Sequence, residues 1–357
     1  MSQIAIIGSG AWGTGLAIVL GRKETHRVRL WAHELEVCES INRKHVNERF
    51  LPGPSLPDSV SASNDLAAVL DGAQIIVSVM PSQHCRALFK RMRPLVPQGA
   101  LIVSATKGLE ESSLQRMTEV IQEVLTPDKT AGAPPLSPRF LRGQGGDFDF
   151  PIGALSGPSF AQEVARGDPT AITIASQSPT LLSTIQQEFS DASFRIYTNS
   201  DVVGVELGGA LKNIIAIAAG ICDGLGLGHN SVAALITRGL AEMTRLVVAC
   251  GGRAETMAGL AGLGDLVLTC TGGLSRNRSV GVELGHGKKL PEIIAGMHGM
   301  VAEGVFTTTA AVGLAHARGI EMPITEQMHA ILHERKSPKE AIQDLMTRTG
   351  KSEIGGN

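Results

Sequence analysis

The sequence contains few aromatic residues. Phenylalanine, tryptophan and tyrosine together make up 3% of the 357 residues, with one tyrosine and two tryptophans. Proteins that hold single-stranded nucleic acid by base stacking depend on such side chains. The 32 basic and 34 acidic residues also leave a formal net charge of only −2. A nearly neutral chain has no general attraction for nucleic acid or for an anionic membrane, so we expect neither as a partner.

The five cysteines do not form a recognisable disulfide or zinc pattern. None lies in a CxxC pair, and none has a histidine at zinc-site spacing. The odd count and the lack of a secretory leader favour the reducing cytosol. The longest apolar run, residues 214–222, is much shorter than the about 20 residues that a membrane span needs. We therefore expect a cytoplasmic protein without bound metal or stable membrane association.

Glycine, in contrast, is abundant. The chain has 42 glycines in 357 residues, well above the usual share of about 7%. Apolar residues make up 43% of the chain, which is typical of a globular protein rather than a disordered one. At about 150 residues per domain, the length allows two domains.

Short β-rich runs alternate with helical patterns in the first part of the chain. This alternation predicts βαβ units, and hence an α/β fold with a Rossmann-type, doubly wound and mainly parallel sheet. The predicted strands cover residues 4–7, 28–31, 75–79, 100–103, 152–155, 171–174 and 194–197. The predicted helices between them cover residues 11–21, 82–93, 113–125, 159–165 and 180–189.

The pattern changes near Asn199, after which strand signals almost vanish. We predict a dinucleotide-binding Rossmann domain over residues 1–199 and an all-α substrate and catalytic domain over residues 200–346. We expect residues 347–357 to be a disordered tail and the Pro- and Gly-rich residues 126–150 to be a surface excursion. The helical patterns of the second domain cover residues 202–222, 231–250, 278–284, 290–295, 307–317, 324–333 and 338–345.

A glycine-rich turn follows the first predicted strand. Residues 8–13 read Gly-Ser-Gly-Ala-Trp-Gly, which is the G-x-G-x-x-G pattern at the start of a helix. In that pattern Gly8 allows the tight turn, Gly10 lets the backbone approach a pyrophosphate, and Gly13 lets the helix pack against the strand. Amide groups at the start of the helix then face the phosphates. The context favours a dinucleotide site over a turn that is merely tight.

The end of the second predicted strand bears on the choice of cofactor. NAD-selective sites usually carry an acidic residue there, which binds the ribose 2′-hydroxyl. This chain has His33 instead, with Glu34 one position later. A missing carboxylate and a cationic histidine tolerate a 2′-phosphate, so we favour NADP(H), with NAD(H) accepted. The alternative is that His33 is an exposed loop histidine.

Polar residues follow two later strands, at the edge where a doubly wound sheet binds its ligands. Lys107 follows the predicted strand at 100–103, and we expect it to project towards that edge rather than into solvent. Ser159 follows the strand at 152–155 and stands three residues before Gln162. That spacing is typical of a capping box, although a helix N-terminus there would also suit an anionic ligand.

Two charged residues stand in apolar, glycine-rich parts of the second domain. Lys212 and Asn213 interrupt the helical run that also contains Gly204, Gly208 and Gly209. Each glycine weakens a helix by about 1 kcal/mol relative to alanine, so we expect something to approach that backbone closely. A lysine there either extends its amine to solvent or is buried with partners, and a lysine removed from water is suited to proton transfer.

Asp265 is the single carboxylate in the run Gly-Leu-Ala-Gly-Leu-Gly-Asp-Leu, and a buried carboxylate needs a cationic or donor partner. Lys212 is the obvious candidate, although Asp265 could instead cap a helix. Further on, residues 275–278 read Ser-Arg-Asn-Arg before a helix. Two arginines, a serine, an amide and a helix N-terminus would form a compact phosphate site, although a short basic turn is more often solvated surface.

Taken together, these motifs resemble the bacterial soluble type of NAD(P)-dependent sn-glycerol-3-phosphate dehydrogenase. The matching pieces occur in the order of that family, between Ile4 and Leu345. They are residues 8–13, Ala-Thr-Lys-Gly-Leu-Glu at 105–110, Ser-Gly-Pro-Ser-Phe at 156–160, Leu-Gly-Gly-Ala-Leu-Lys-Asn at 207–213, Leu-Ile-Thr-Arg-Gly-Leu-Ala-Glu-Met at 235–243, Gly-Leu-Gly-Asp-Leu at 262–266, Ser-Arg-Asn-Arg at 275–278 and Val-Ala-Glu-Gly at 301–304.

The resemblance implies a reversible reduction of dihydroxyacetone phosphate to sn-glycerol 3-phosphate, which feeds glycerophospholipid synthesis, in a protein that is commonly dimeric. It implies that Lys212 transfers the proton, that Asp265 orients Lys212, and that Lys107 contacts both ligands. The substrate-binding residues that it implies are Lys107, Gly157, Ser159, Lys212, Asn213, Asp265, Thr269, Ser275, Arg276 and Asn277. The implied dinucleotide-binding residues are Gly8, Gly10, Ala11, Trp12, Gly13, His33, Lys107, Ala161, Arg276, Val301 and Glu303.

Three alternatives remain open from the sequence. Another dehydrogenase of this architecture, acting on a hydroxyacid or on 6-phosphogluconate, would also use a lysine in a helical domain. A sensor that binds NADP(H) without turnover would not need a proton-transfer lysine. The helical domain could also serve mainly for oligomerisation. One segment departs from the family pattern: residues 131–150 are longer than expected and are interpreted as a lineage-specific insertion.

Overall fold

A computed structural model describes residues 1–126, 150–297, 301–350 and 352–353. The chain divides into two compact units, one formed by residues 1–107 and 115–206, the other by residues 108–114 and 207–357. The first unit thus extends seven residues beyond the expected boundary at 199. Residues 108–114, expected in the first domain, group with the second unit, where the side chain of Leu114 lies against Gly313. The disordered tail stays a prediction, since residues 351 and 354–357 lie outside the described residues.

The first unit is built on an eight-stranded sheet with strand order β10-β9-β8-β7-β6-β1-β2-β5. All neighbouring strands in it run parallel except β8 and β9, which confirms the predicted mainly parallel α/β fold. A separate antiparallel pair joins β3 to β4. The strands are β1 (Ser2–Ile7), β2 (His26–Trp31), β3 (Val46–Asn47), β4 (Leu51–Ser55), β5 (Val60–Ser63), β6 (Ile75–Ser78), β7 (Leu101–Ser104), β8 (Ile152–Ser156), β9 (Thr170–Ser176) and β10 (Phe194–Asn199).

Helices of the first unit pack on both faces of this sheet. Ile4 and Ile6 of β1 belong to one apolar cluster, and Ala5 and Ile7 belong to the other, as expected for a strand that is buried on both sides. The helices are α1 (Ala11–Gly21), α2 (Leu35–Lys44), α3 (Leu66–Leu70), α4 (Cys85–Met92), α5 (Met117–Leu125), α6 (Ala161–Arg166) and α7 (Pro179–Phe189).

All seven predicted strands are present, but the sequence analysis missed β3, β4 and β5. Their composition explains why. β4 reads Leu-Pro-Gly-Pro-Ser, and two prolines and a glycine hide a strand signal. β5 reads Val-Ser-Ala-Ser and lies at the edge of the sheet, where it needs little apolar surface.

The described residues of the second unit contain helices and no strand. A π-helical turn, residues 260–264, precedes α11. The helices are α8 (Val202–Gly224), which begins in the first unit, α9 (His229–Ala249), α10 (Ala254–Met257), α11 (Asp265–Thr271), α12 (Arg276–Gly285), α13 (Leu290–Ala295), α14 (Glu303–Arg318), α15 (Pro323–His333) and α16 (Pro338–Met346).

Glycines allow the helices of the second unit to approach one another closely. A Cβ atom on Gly208 would lie 2.7 Å from the carbonyl oxygen of Ala261, so the protein's own backbone makes the close approach expected there. A Cβ on Gly220 would lie 2.0 Å from the carbonyl oxygen of Arg278, and one on Gly281 would lie 2.0 Å from that of Ile217. Only glycine fits where α8 and α12 pack at this distance.

Among the described residues, α8 is the only helix that by itself is long and apolar enough to cross a membrane. Its mean hydropathy reaches 1.6 over 18 residues, and 83% of that window is buried inside the protein. A second candidate arises only if residues 254–271 and 276–285, bent by 47°, are counted as one span. The longest apolar run in the sequence does not reveal α8, because Glu206 and Lys212 divide this helix.

Candidate active site

The glycine-rich turn joins β1 to the start of α1. Gly8 has a φ of +124°, and a Cβ on it would lie 2.4 Å from the carbonyl oxygen of Val79. A Cβ on Gly13 would lie 1.9 Å from the carbonyl oxygen of Gly8. A Cβ on Gly10, in contrast, would meet nothing within 4 Å. The turn is therefore tight on the protein side and open at Gly10, which fits a dinucleotide phosphate lying against the backbone.

Other residues near this turn also fit a bound dinucleotide. Trp12 has a buried indole N–H without a hydrogen-bond partner among the described residues. Ala161 begins α6, and its carbonyl oxygen lies 3.3 Å from where a Cβ on Gly15 of α1 would stand. His33 is exposed, with its ring centroid 6.1 Å from that of Trp31. The dinucleotide roles of these residues, and of Ala11, stay predictions.

Asn47 is a residue near the turn that the sequence analysis missed. It lies in β3 with a fully buried side chain, and its Nδ2 donates to the carbonyl oxygen of Ser9 and to Thr14 Oγ1, both at 2.8 Å. The surrounding sequence, Arg-Lys-His-Val-Asn-Glu-Arg, does not indicate a buried side chain, because it is typical of a solvated surface segment.

Lys107, Gly157 and Ser159 come together at the ends of β7 and β8. Lys107 Nζ donates to the carbonyl oxygen of Gly157 at 3.3 Å, and Ser159 Oγ donates to the same oxygen at 3.2 Å. The expectation that Ser159 and Gln162 form a capping box is wrong. Helix α6 begins at Ala161 after Phe160, and it has no side-chain cap because the Ser159 hydroxyl bonds backwards.

Lys212, Asp265 and Thr269 form a buried cluster in the second unit. Lys212 Nζ forms a close ion pair with Asp265 Oδ1 and donates to Thr269 Oγ1 at 2.7 Å. Asp265 and Thr269 stand one turn apart on α11, and Thr269 Oγ1 donates to the carbonyl oxygen of Asp265 at 2.6 Å. The expected pairing of Lys212 with Asp265 is thus present. The amine is held in one orientation by two acceptors, with less than 10% of each of the three residues exposed.

Cys270 is buried beside this cluster. Burial raises the pKa of its thiol to about 12, although the positive charge of Lys212 acts in the opposite direction. The thiol is therefore expected to be neutral at ordinary pH.

Asn213 and Asn277 are joined by a hydrogen bond that defines both amide orientations. The backbone N–H of Gly304 donates to Asn277 Oδ1 at 3.0 Å, and Asn277 Nδ2 donates to Asn213 Oδ1 at 3.0 Å. Because a backbone N–H can only donate, the oxygen of Asn277 must face it, and the amide nitrogen must face Asn213. The NH₂ group of Asn213 therefore takes no part in this hydrogen bond.

The Ser-Arg-Asn-Arg turn differs from the expected phosphate site with two arginines. Ser275 caps α12, its Oγ accepting from the backbone N–H of Arg278 at 3.2 Å. Arg278 forms an ion pair with Asp223 at 2.6 Å, so its guanidinium already has an acidic partner within the protein. Arg276 forms no ion pair with any described carboxylate, and burial lowers the pKa of its guanidinium. A desolvated cation in this position fits an anion supplied by a ligand.

The segment before α14 contains the last two predicted dinucleotide contacts. Val301 is half-buried, and Glu303 is the first residue of α14. Their contacts with the dinucleotide stay predictions. Within the described ranges, no group of three or more histidine, cysteine, aspartate or glutamate side chains could hold a metal ion.

Two family sequence profiles match the chain. The NAD-dependent glycerol-3-phosphate dehydrogenase N-terminus matches residues 3–133 and 145–182, and the C-terminus of the same family matches residues 201–343. The N-terminal match leaves residues 134–144 between its two parts. The insertion predicted at residues 131–150 lies, apart from Phe150, outside the described residues.

Known proteins similar over the full length point to the same family. The chain is 63% identical over 354 residues to glycerol-3-phosphate dehydrogenase (NAD(P)+) of Koribacter versatilis, covering 99% of each chain. It is 54% identical to the protein of the same name from Acidobacterium capsulatum, covering 99% of this chain and 100% of the relative.

A solved structure agrees with these relatives. The crystal structure of glycerol-3-phosphate dehydrogenase from Coxiella burnetii has 43% identity and a TM-score of 0.87, covering 97% of this chain and 98% of that one. The matches support the resemblance over a hydroxyacid or 6-phosphogluconate enzyme and over a sensor. The chain therefore belongs to the NAD-dependent glycerol-3-phosphate dehydrogenase family.

Proposed function

We propose that this chain interconverts dihydroxyacetone phosphate and sn-glycerol 3-phosphate, with NADPH or NADH as the reductant. The observation that carries the proposal is the buried cluster in which Asp265 and Thr269 hold the amine of Lys212. A lysine costs free energy to bury, and a pure core position would be filled by an apolar side chain. An oriented amine suits a reaction in which a carbonyl oxygen gains or loses a proton.

The proton step follows from this arrangement. NADPH or NADH, when bound, supplies the hydride that C2 of dihydroxyacetone phosphate receives. Negative charge then develops on the C2 oxygen, and Lys212 Nζ gives it a proton. In the reverse direction Lys212 accepts that proton from the alcohol. Asp265 keeps the amine in place through both steps, and general acid–base transfer of this kind accelerates a reaction by about 10²–10⁴-fold.

The phosphate of the substrate is assigned to Arg276. Support comes from the lowered pKa that burial gives its guanidinium and from the lack of an ion pair with any described carboxylate. The hydrogen bond between Asn213 and Asn277 links the residue after Lys212 to the residue after Arg276, which supports assigning both charges to one ligand. The amide of Asn213 supplies a donor, and binding energy from the phosphate helps to orient the reacting carbon.

The dinucleotide is assigned to the first unit, with its pyrophosphate on Gly8, Gly10 and Gly13. The tight turn and the open side of Gly10 support this. We assign Lys107, Gly157 and Ser159, which meet at one carbonyl oxygen, to the ligand-binding end of the sheet. Trp12, Ala161, His33, Val301 and Glu303 are proposed to contact the dinucleotide.

The test is the loss of reduced-nicotinamide absorbance when purified protein is mixed with dihydroxyacetone phosphate, with NADPH and NADH in separate reactions. Rapid oxidation of either establishes the reaction, and the ratio of the two rates measures the preference that we attribute to His33. A His33→Ala variant that keeps the ratio would exclude that role. Binding of both dinucleotides without oxidation would leave a sensor or another substrate as the function.

We also infer that the chain acts in the cytoplasm as a homodimer and supplies glycerophospholipid synthesis. sn-Glycerol 3-phosphate is the backbone of those lipids. In such a dimer, exposed apolar side chains of the second unit, such as Leu263, Val267 and Leu274, would be removed from water. Light scattering that gives the mass of a single chain at assay concentration would contradict the dimer.

A further inference from the structure

Asn47 is hydrogen-bonded to the glycine-rich turn at residues 8–13, here called the dinucleotide turn, although it lies 38 residues from Ser9 in the sequence. Its side chain is fully buried, and all its polar groups are satisfied by the protein. Nδ2 donates to the carbonyl oxygen of Ser9 and to Thr14 Oγ1, each at 2.8 Å. Thr14 Oγ1 in turn donates to the same carbonyl oxygen at 3.1 Å. Asn47, Thr14 and Ser9 therefore form a closed ring of hydrogen bonds.

The orientation of the Asn47 amide follows from a third contact. The backbone N–H of Phe50 donates to Asn47 Oδ1 at 3.1 Å. Because that N–H can only donate, Oδ1 must face it, and the NH₂ group must face the turn. The two hydrogens of Nδ2 then match the two acceptors, Ser9 O and Thr14 Oγ1.

This ring determines which way one peptide group of the turn points. The Ser9 carbonyl and the Gly10 N–H belong to the same peptide plane, and in a trans peptide they point in opposite directions. Two donors from Asn47 and Thr14 hold the carbonyl towards the protein interior, so the Gly10 N–H points away from it. That N–H has no partner among the described residues, and a Cβ on Gly10 would meet nothing within 4 Å.

We propose that Asn47 is a positioning residue for the dinucleotide, which acts through the Ser9–Gly10 peptide. It holds the Gly10 N–H towards the pyrophosphate, so that the donor is oriented before the ligand arrives. A turn without this restraint would have to order the peptide on binding, and affinity would fall. The proposal deepens the proposed function and rests on the dinucleotide site at Gly8, Gly10 and Gly13.

The test compares two variants that break the ring with two that do not. Asn47→Leu keeps the branched shape without adding charge, and Thr14→Val removes the other donor at nearly constant volume. Thr14→Ser retains the hydroxyl. Asn42→Leu is the amide control, because Asn42, although exposed, also makes two 2.8 Å hydrogen bonds to backbone, at Ala62, without touching the turn.

The dissociation constant of NADPH is measured from the change in its fluorescence on binding, well below each variant's melting temperature. Asn47→Leu and Thr14→Val are expected to raise it by about tenfold or more, since each removes a buried hydrogen bond that orients a donor. Thr14→Ser and Asn42→Leu should stay within about twofold. The KM for dihydroxyacetone phosphate at saturating NADPH should stay near wild type in all four.

The outcomes separate the proposals. Wild-type affinity in Asn47→Leu and Thr14→Val, with NADPH binding intact in the parent protein, overturns the role of Asn47 alone. Equal losses in Asn42→Leu and Asn47→Leu would make the effect one of general stability and would also overturn it. A parent protein that binds neither NADPH nor NADH would overturn the proposed function itself.

Discussion

The two units prepare their chemistry in opposite ways. In the first unit the dinucleotide turn is made of main chain, with Gly8, Gly10 and Gly13 serving by lacking side chains. In the second unit the candidate catalytic group is a charged side chain, Lys212, held by another charged side chain 53 residues further on. A turn of backbone N–H groups binds a ligand of fixed charge, whereas a buried amine can gain and lose a proton.

The two units are therefore expected to contribute separately to the proposed reaction. A change in the backbone turn should alter how tightly the dinucleotide binds. A change in the buried charges should alter the rate of the chemical step or the affinity for the phosphorylated substrate. Variants that change dinucleotide affinity and the chemical step equally would contradict this division between the units. Variants that change only one of the two would support it.

Lys212→Met is expected to give the largest difference between the effect on kcat and the effect on NADPH binding. Methionine fills much of the same volume but cannot transfer a proton, so kcat should fall by about 10²–10⁴-fold. The dissociation constant of NADPH should stay near that of the parent protein, because the dinucleotide turn lies in the other unit. Steady-state kinetics and NADPH fluorescence measure the two quantities.

Asp265→Asn is the companion variant. It leaves the lysine in place but removes the charge that holds it, so kcat should fall less than in Lys212→Met. Near-parental turnover of a folded Lys212→Met protein would end the assignment of Lys212 as the proton donor. A parallel loss of NADPH binding would show that the two units do not divide the work as described.

A smaller separation is expected from Arg276→Ala. Loss of a charge-assisted hydrogen bond to the substrate phosphate should raise the KM for dihydroxyacetone phosphate by about 10- to 100-fold. Arg278→Ala is the matched control, because Arg278 pairs with half-exposed Asp223 and should change the KM little. An unchanged KM in Arg276→Ala, or an equal rise in Arg278→Ala, would move the phosphate site elsewhere.

The parts of the fold that could be predicted from the sequence are those with a clear apolar pattern. Buried parallel strands such as β1 and β7 are continuous apolar runs, and their positions were predicted to within about two residues. The edge strand β5 was missed because it carries little apolar surface, and helix α3 was missed because its five apolar residues are too few to show a helical period. The π-helical turn before α11 was missed because glycine in a helix reads as a break in the pattern.

The candidate site was predictable where a residue conflicts with its own surroundings. Lys212 and Asp265 stand in apolar runs, and that conflict predicted their pairing. Asn47 stands among polar residues, so nothing in its local pattern indicates that it is fully buried. The bond between Asn213 and Asn277 joins two helices 64 residues apart, and their relation depends on tertiary packing alone. Arg278 was misjudged for the same reason, since its partner Asp223 comes from α8.

The close packing of α8 against α12 can be tested through the free energy of unfolding. Gly281→Ala should destabilise the protein by about 1–3 kcal/mol, because a Cβ there would lie 2.0 Å from the carbonyl oxygen of Ile217 and would force α8 and α12 apart. Alanine favours a helix by about 1 kcal/mol, so the steric cost must exceed that gain. Denaturant unfolding followed by circular dichroism measures the change.

Gly273→Ala is the control for this test. A Cβ on Gly273 would meet nothing within 4 Å, and its φ is not positive, so stability should change by less than about 0.5 kcal/mol. Equal stability of the two alanine variants would contradict the close packing of α8 against α12.

The smallest expected effect concerns Cys270, which lies beside the lysine cluster but outside its chemistry. Burial raises the pKa of its thiol to about 12, so the thiol is almost entirely un-ionised at pH 8. A thiol reagent at pH 8 should therefore leave Cys270 unmodified in the folded protein and label the half-buried Cys250 first, as peptide mass spectrometry would show. Rapid labelling of Cys270 would mean that water reaches the cluster. In that case Lys212 would not be held in a dry site, and the contrast between a solvent-facing backbone turn and a buried side-chain centre would fail.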